Sequence, residues 1–212
     1  MSEPTDRRSR KRLETRRNIS YAATALFAEK GFDNVTVDEI AAAADVGRMT
    51  VFNHFPRKED MFFDRDEEIR ETLCQALRER PAELSPIEAL RLLAHRLIAE
   101  KRPFLQFSAD SQGFVAIIQA SETLKARARQ IRDEVANIMA AELAMISGKD
   151  EPDGDAKLAA ALLLASWSVA LITAHEVFRS SVDEKLAIQA FLAVIDKGAA
   201  GQKAALAGTA YA

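Results

Sequence analysis

The sequence contains a single cysteine in 212 residues, Cys74, so no disulfide can form within the chain. Folds held together by disulfide frameworks, which are typical of small secreted proteins, are therefore excluded. The amino-terminal segment also lacks the apolar core of a signal peptide, because basic residues crowd positions 7 to 17 and no apolar run follows them. These absences predict a cytoplasmic protein that depends on a packed core.

The sequence is also poor in apolar runs that could cross a membrane. An uncharged and largely apolar segment, residues 158–174, has 17 residues and is interrupted by Ser166, Ser168 and Thr173, whereas a spanning helix needs about 20 apolar residues. In a small domain, a helix that is apolar on every side is expected to share a face with another subunit. We therefore expect no membrane partner.

Catalytic and metal-binding patterns are missing as well. The three histidines, His54, His95 and His175, fall on three different predicted helices without ligand spacing. No glycine-rich phosphate loop and no serine elbow is present. We expect no catalytic residue, no metal and no cofactor. A helical enzyme without a recognisable motif stays an alternative, because the lack of a motif is weak evidence.

The strongest pattern in the chain lies in residues 36–58. Thr36 is suited to cap a helix that begins at the next residue, and Glu39 is placed to complete a capping box. The turn Asp45-Val46-Gly47 then offers a residue that tolerates left-handed backbone, an apolar plug and a glycine N-cap. A second short helix starts near Arg48. This order of elements is a helix-turn-helix, which predicts binding to double-stranded DNA.

Charge is distributed unevenly along the chain. Residues 1–58 carry 11 Lys or Arg and 8 Asp or Glu, a net charge of +3, whereas the remaining residues carry 18 and 24, a net charge of −6. A positive segment around the helix-turn-helix suits a phosphate backbone. The basic leader is either a solvated tail or an arm that contacts phosphate.

Helical periodicity extends over most of the sequence and predicts an all-α fold of about nine helices, with a three-helix DNA-binding head and a larger body. The first helix is expected from about Leu13 to Lys30, and a long linking helix from Lys58 to about Arg80. The expected organisation is a basic flexible arm over residues 1–12, a helix-turn-helix domain over 13–58 with the start of the linking helix to about 65, an effector-binding and dimerisation domain over 66–200, and a flexible tail over 201–212.

Three segments together resemble the tetracycline-repressor (TetR/AcrR) family of transcriptional regulators. They are Phe27-Ala-Glu-Lys-Gly31-Phe32, Thr36-Val-Asp-Glu-Ile-Ala-Ala-Ala-Ala and Phe55-Pro-Arg-Lys58-Glu59-Asp60, and the resemblance covers about residues 15–65. It implies an all-helical homodimer whose body holds a ligand pocket that controls operator affinity. The expected function is a ligand-responsive repressor that binds an inverted-repeat operator and is released by a small hydrophobic or aromatic effector. The alternative is a non-specific architectural DNA-binding module or a helical protein-interaction module.

The resemblance also assigns roles to residues of the helix-turn-helix. Arg48 and Thr50 stand where family members contact bases and phosphates, and His54 stands where a phosphate contact is usual. Lys58 occupies the start of the next helix, whose amide and side chain would meet phosphate. The predicted DNA-binding set is Thr36, Gly47, Arg48, Met49, Thr50, Phe52, Asn53, His54 and Lys58.

Some positions depart from the family pattern. Asp45 replaces a glycine, Gly47 replaces the usual serine or threonine cap, and Phe52 stands where a tyrosine hydroxyl commonly meets the DNA backbone. Met49 is large for its position. It either touches a thymine methyl group or packs against its own domain.

Composition and periodicity suggest two further sites in the body. A pocket for a hydrophobic or aromatic effector would be lined by residues that are equally explained as plain core: Phe104, Phe107, Phe114, Met139, Trp167 and His175. The last two long helices are expected to form a dimeric four-helix interface through Leu162, Ala165, Val169, Ala187, Phe191, Val194 and Ile195.

Overall fold

The computed structural model describes residues 7–212, which form ten α-helices and no strand, so the all-α prediction is confirmed. One turn of 3₁₀-helix, Pro103–Leu105, lies between the sixth and the seventh of these helices. The helices are α1 (Arg7–Lys30), α2 (Val37–Ala43), α3 (Arg48–His54), α4 (Lys58–Phe62), α5 (Asp66–Arg78), α6 (Pro86–Ala99), α7 (Ala109–Ala120), α8 (Glu122–Ile146), α9 (Gly154–Ser181) and α10 (Glu184–Ala205).

The chain forms two compact units. Of the described residues, 7–66 and 113–128 make up the first, here called the head unit, and 67–112 and 129–212 make up the second, here called the body unit. The head unit therefore includes the end of α7 and the start of α8. The prediction that residues 66–200 form one domain is therefore wrong for these two segments.

Aromatic side chains form the core of the head unit. Phe27 of α1 is completely buried, and its ring centroid lies 5.0 Å from that of Phe32 and 6.0 Å from that of Phe62. Ala23 and Ile19, one and two turns earlier on α1, are also completely buried, as the spacing of apolar residues on α1 predicts. This core holds α1 against the short helices that follow it.

Residues of α7 and α8 complete this core. The ring of Phe114 stacks on that of Phe62 with centroids 4.3 Å apart, and Leu124 is completely buried in the same cluster. The hydroxyl of Ser121 donates to Asp33 at 2.8 Å. Through these contacts, a segment more than forty residues distant in sequence becomes part of the head unit.

The body unit is built around the long pair α9 and α10, with α6 packed against α10. The buried face of α9 consists mainly of alanine, including Ala160, Ala170 and Ala174, which lets α10 approach closely. Larger side chains of α10, Phe191 and Ile195 among them, fill the space between the helices.

The two helices lie close together at Gly198 of α10. A Cβ atom at this position would lie 2.7 Å from the Cβ of Ser166 on α9 and closer still to its Oγ. We therefore expect Gly198→Ala to push the helices apart and to lower the free energy of unfolding by about 1–3 kcal/mol. Urea unfolding at one protein concentration would measure the change.

Gly201, on the same helix, provides the matched control, because a Cβ there would meet no atom within 4 Å. Gly201→Ala should raise the free energy of unfolding by about 0.5–1 kcal/mol, since alanine favours the helix. Adding Ser166→Gly to Gly198→Ala should restore part of the lost stability. Equal effects of the two Gly→Ala changes would contradict the proposed close approach.

Three sequence predictions about boundaries need correction. The helix α1 begins at Arg7, so residues 7–12 of the expected flexible arm are helical, while residues 1–6 lie outside the described part of the chain. The linking helix is interrupted between α4 and α5. The expected tail from residue 201 is anchored, because α10 continues to Ala205 and Tyr211 is completely buried, with its hydroxyl 3.3 Å from Asp153.

Candidate nucleic-acid interface

The first helix of the helix-turn-helix is fixed at its start by the predicted capping box. The hydroxyl oxygen of Thr36 accepts from the Glu39 amide at 3.2 Å, and the Glu39 carboxylate accepts from the Thr36 amide at 2.9 Å. Lys30 donates to the same carboxylate at 2.8 Å. The bond from Lys30, helped by the bonds from Thr36, lowers the pKa of Glu39 to about 2. The cap therefore stays ionised at neutral pH.

The turn that follows has the backbone predicted from its residues. Asp45 adopts a left-handed conformation with φ of 51°, the conformation expected where the family pattern has glycine. The Val46 amide donates to the carbonyl of Ala41 at 3.0 Å. Gly47 has extended backbone and is the N-cap of α3, without a side chain to bond the exposed amides. The turn directs α3 across α2.

The helix α3 packs inward through its apolar residues and leaves its amino end exposed. Val51 and Phe55 are completely buried, as the sequence predicts. The side chain of Met49 is 71% exposed, which favours a groove contact over packing against its own domain. Arg48 and Asn53 are also exposed, and Thr50 and Phe52 are half-buried. We call the face formed by Arg48, Met49, Thr50, Phe52 and Asn53 the recognition surface.

Arg48 is held in an exposed and weak ion pair. Its Nη1 lies 2.8 Å from Oδ2 of Asp38, and the two side chains are 59% and 64% exposed. The guanidinium carbon lies 5.5 Å from the ring centroid of Phe52. Ion pairs this exposed contribute about 0–1 kcal/mol, so the guanidinium can exchange Asp38 for a base at little cost. The ring of Phe52 thus lies beside the Arg48 guanidinium. The resemblance implies a tyrosine at this position, with a hydroxyl that meets the DNA backbone.

Lys58 lies differently from the position implied by the resemblance. Its Nζ donates to the carbonyls of Phe32 and Val35, both at 2.9 Å, and lies 4.2 Å from the Phe32 ring centroid. The ammonium group is therefore used inside the head unit, where it joins α4 to the loop before α2. We assign this side chain a structural role in place of a phosphate contact.

A groove with a volume of about 530 Å³ runs between α1 and α3, and we call it the α1–α3 groove. Arg16 holds its walls together, because its guanidinium donates to the carbonyl of His54 and lies 4.0 Å from the Phe55 ring centroid. The groove is lined by Arg8, Ser9, Lys11, Arg12 and Thr15 of α1 and by Thr50, Asn53 and His54 of α3.

The groove is strongly electropositive. Burial lowers the pKa of His54, and the positive charges of Arg12 and Arg16 lower it further. At neutral pH the imidazole is accordingly neutral, and the site favours an anion over another cation. Sequence reasoning selected Thr50, Asn53 and His54 but missed the α1 wall. The signal was present, because cations and a threonine at positions 8, 11, 12 and 15 share one helical face.

The predicted effector residues divide between the two units. Phe114 belongs to the head unit, so its assignment to a body pocket is wrong. Phe107 and Met139 are buried in the body core, and Phe104 and Trp167 pack against that core. The His175 ring lies 5.2 Å from that of Phe107, and burial lowers the pKa of His175.

The cavity that borders one of these side chains, Trp167, is small. A cavity that Trp167 lines with Ile87, Leu163 and Gln202, among others, has a volume of about 10 Å³, which admits at most one water. A drug-sized ligand needs about 300–1,000 Å³. An effector in this region would therefore have to separate helices that are in contact in this structure.

The predicted dimer residues also fall into two groups, because those of α9 face solvent and those of α10 face the body core. On α9, Ala165 and Val169 are exposed and Leu162 is half-buried, which leaves them free to meet another subunit. On α10, Ala187, Phe191 and Ile195 are buried in the body core, and Val194 packs against it. Their assignment to an interface is corrected, because this stripe faces the chain's own core. The exposed face of α10 carries Leu186, Gln189, Ala193, Lys197 and Ala200.

The length argument against a membrane span needs revision. The helix α9 has 28 residues and is long and apolar enough to cross a membrane by length and composition. Such evidence is weak for a single helix, because a core or interface helix passes the same test. Its exposed apolar residues, Leu158, Val169 and Ile172, follow one face, whereas a lipid-exposed helix is apolar around its circumference.

Comparison with known proteins agrees with this geometry. Residues 19–64 match the family model of bacterial regulatory proteins of the tetR family. The HTH-type transcriptional regulator TcmR of Streptomyces glaucescens is 36% identical over 83 residues, which are 39% of this chain. The match spans 37% of the length of that relative.

Solved structures share the fold over most of the chain. NalD, described as the secondary repressor of the MexAB-OprM multidrug efflux pump in Pseudomonas aeruginosa, is 20% identical with a TM-score of 0.56, and the match covers 88% of this chain and 97% of NalD. SmeT in complex with triclosan is also 20% identical with a TM-score of 0.56, over 89% of this chain and 91% of SmeT. Residues 19–64 therefore match the DNA-binding domain of the tetR family of bacterial regulatory proteins, and the rest of the chain shares the fold of solved regulators of this kind.

Proposed function

We propose that this chain is a transcriptional regulator that binds an inverted-repeat operator through α3. The observation that carries the proposal is the recognition surface, where Arg48 and 71%-exposed Met49 project from a helix anchored by buried Val51 and Phe55. A helix presented in this way fits the major groove, in which arginine can bind guanine and an apolar side chain can meet a thymine methyl.

The proposed regulator acts as a homodimer through α9 and α10. Both helices expose apolar and small side chains along one face, including Val169, Ile172 and Leu186, at 51%, 59% and 46% exposure. An apolar face of this length is unfavourable in water unless another surface covers it. A twofold pairing would make a four-helix interface and place two recognition surfaces on half-sites about 34–36 Å apart, or a multiple of that distance.

We further propose that a small hydrophobic or aromatic effector binds the body unit near Phe107, Trp167 and His175 and releases the DNA, which makes the protein a repressor in the cytoplasm. SmeT, which shares the fold, binds triclosan, and NalD is a repressor. Since the cavity beside Trp167 has a volume of only about 10 Å³, the effector would stabilise a more open body. The effector can shift the population towards the open body only as far as it binds the open state more tightly than the closed state.

Selection of bound fragments from a random DNA pool tests the central proposal. We expect enrichment of one inverted repeat, bound at least about a thousandfold more tightly than random duplex at fixed salt. Equal binding to all duplexes would support an architectural module instead. Failure to retain any duplex at moderate salt would remove the DNA-binding proposal. Conversion of a small molecule by the purified protein would support an enzyme.

Arg48→Ala should weaken binding to the selected operator by about 1–3 kcal/mol and relax the preference at one base position. The physical reason is the loss of bidentate hydrogen bonding to a guanine edge. Binding of operators with single-base changes, measured by fluorescence anisotropy, would report both effects.

Asp38→Ala is the matched control, because Asp38 is the partner of Arg48 in the exposed ion pair. Removal of the Asp38 carboxylate frees the Arg48 guanidinium, so the variant should keep the base preference of the wild-type protein. If Arg48→Ala weakened all sequences equally, Arg48 would contact phosphate only.

A further inference from the structure

The body unit contains a buried amide whose hydrogen bonds are incomplete. Gln202 of α10 is 5% exposed, and its Nε2 donates to Oγ of Ser166 at 3.0 Å and to the carbonyl of Leu162 at 3.4 Å. Among the residues that the structure describes, Oε1 of Gln202 has no hydrogen-bond partner. A buried acceptor without a donor is unfavourable, so this oxygen requires a partner from elsewhere.

The neighbours of the amide determine which of its two ends is left unpaired. The Leu162 carbonyl can only accept, and the Ser166 hydroxyl donates to that carbonyl at 2.9 Å. Turning the Gln202 amide over would place Oε1 against the Leu162 carbonyl, which would bring two acceptors into contact. The nitrogen end therefore faces α9, and the missing partner of Gln202 is a hydrogen-bond donor.

Gln202 lines the cavity of about 10 Å³ between α6, α9 and α10, which we call the Trp167 cavity. The other lining side chains are mainly apolar and include Ile87, Leu163, Ile195 and Trp167. The indole of Trp167 already contacts the ring of Phe191, with centroids 5.9 Å apart and an interplanar angle of 84°. Apolar and aromatic walls around one polar group are typical of sites for small organic molecules. The chemistry favours an aromatic ring that carries a donor.

The charge at the cavity is already balanced. Arg91 also lines the cavity, but its Nε and Nη2 donate to Glu88 at 3.0 and 2.6 Å, and its Nη1 donates to Asp196 at 2.9 Å. An anionic ligand would have to compete with both carboxylates for the guanidinium, and it would also meet the unpaired oxygen of Gln202. The site therefore favours an uncharged molecule.

The Trp167 cavity must widen to admit such a molecule, and the side next to α6 is the one expected to open. The helices α9 and α10 lie close together at Gly198 and are held there by direct packing. The helix α6 is joined to α10 by ion pairs between partly exposed side chains, Arg91 with Asp196 and Lys203 with Glu88. Ion pairs of this kind are weak. Widening thus separates α6 from the pair α9 and α10.

We propose that the Trp167 cavity selects the effector, and that the effector is an uncharged aromatic molecule with a hydroxyl or N–H group. The proposal rests on the effector-binding function proposed above. The donor group of the effector bonds to Oε1 of Gln202, and its ring packs between Trp167 and Ile87. A molecule whose polar group can only accept leaves Oε1 unpaired and binds more weakly.

The competing explanation is that one buried water donates to Oε1 and that no ligand enters. A cavity of this volume admits at most one water. Trp167 can distinguish the two explanations, because it is the only tryptophan in the sequence and it lines the cavity. Its fluorescence therefore reports directly whether a ligand occupies this cavity.

Phenol and its methyl ether, anisole, are matched probes, because they share the ring and differ in the hydroxyl hydrogen. We expect phenol to change the Trp167 fluorescence saturably and to bind at least about tenfold more tightly than anisole. Gln202→Met keeps the length of the side chain and removes the acceptor, so in this variant the two affinities should differ by less than about threefold. Gln189→Met, at an exposed glutamine of the same helix, is the matched control and should keep the preference for phenol.

Circular dichroism and the thermal midpoint establish that the variants are folded, and the comparison of the two probes on the wild-type protein needs no variant. A fluorescence signal that does not saturate with phenol would support the buried water and overturn the proposal. Equal affinities for phenol and anisole in the wild-type protein would also overturn it. A preference for phenol that persists in Gln202→Met would show that the donor bonds elsewhere, with the same consequence.

Release of the selected operator, followed by anisotropy, separates this proposal from the proposed function. If phenol and anisole released the DNA equally well, the effector function would stand and the donor requirement would fail. If phenol bound as expected without releasing the DNA, the cavity would be a binding site but not the effector site. If no aromatic compound released the DNA, the proposed effector function itself would fail.

Discussion

Replacing Ala165 with arginine should convert the proposed dimer into monomers and lower the affinity for an inverted repeat by about 10²- to 10⁴-fold. In a dimer, binding of one head holds the second head at a high effective concentration near the other half-site. A monomer lacks this advantage, because each head binds its half-site independently. Ala165 lies on the exposed face of α9 among the apolar side chains of Val169 and Ile172. A guanidinium buried at the centre of that face would have no partner charge, which is strongly unfavourable.

Analytical ultracentrifugation at micromolar concentration would measure the assembly state, and anisotropy with full and half operators would measure binding. Ala141→Arg is the matched control, because Ala141 is an exposed alanine of α8 in the same unit. The control should remain dimeric and retain full affinity. A dimeric Ala165→Arg protein would place the interface elsewhere.

Phe27→Ala should lower the free energy of unfolding of the head unit by about 3–5 kcal/mol. Phe27 is completely buried and its ring contacts Phe32 and Phe62, so truncation leaves a cavity that joins three elements. Domains are stable by only about 5–15 kcal/mol, so a loss of this size removes a large part of the total. DNA affinity should fall in parallel, because the turn and α3 depend on this core.

Hydrogen exchange would localise the effect, with loss of amide protection in α1 to α4 expected first. Tyr21→Ala is the control, because Tyr21 is also an aromatic residue of α1 and is 76% exposed. It should change stability by no more than about 0.5 kcal/mol. Helix propensity favours alanine at both positions, so a comparable loss in both variants would contradict the cavity as the cause of the large effect.

The helix-turn-helix could be predicted from sequence because its determinants are local. The capping box joins Thr36 to Glu39, three residues away, and the left-handed turn depends on the residue type at position 45. Both features formed as predicted. The inward orientation of Val51 and Phe55 follows from their spacing of four on a short helix.

Features that depend on long-range packing could not be predicted in this way. The stripe of Ala187, Phe191 and Ile195 is apolar whether it meets its own chain or a partner, and only the contact with α9 shows that it is core. Lys58 carries the same charge in either role, and its use became visible only from the carbonyls of Phe32 and Val35. The spacing of the cations on the α1 wall of the groove was visible in the sequence, but it could be interpreted only with the knowledge that α1 begins at Arg7.

The membership of residues 113–128 in the head unit has a consequence for how this protein can be recombined with others. A chimera that joined residues 7–66 to a foreign body would leave out Phe114, Leu124 and the ion pair between Arg127 and Asp60, whose atoms lie 3.2 Å apart. Exchange of the body unit therefore requires two crossover points in the gene, so that residues 113–128 are inherited with the rest of the head unit.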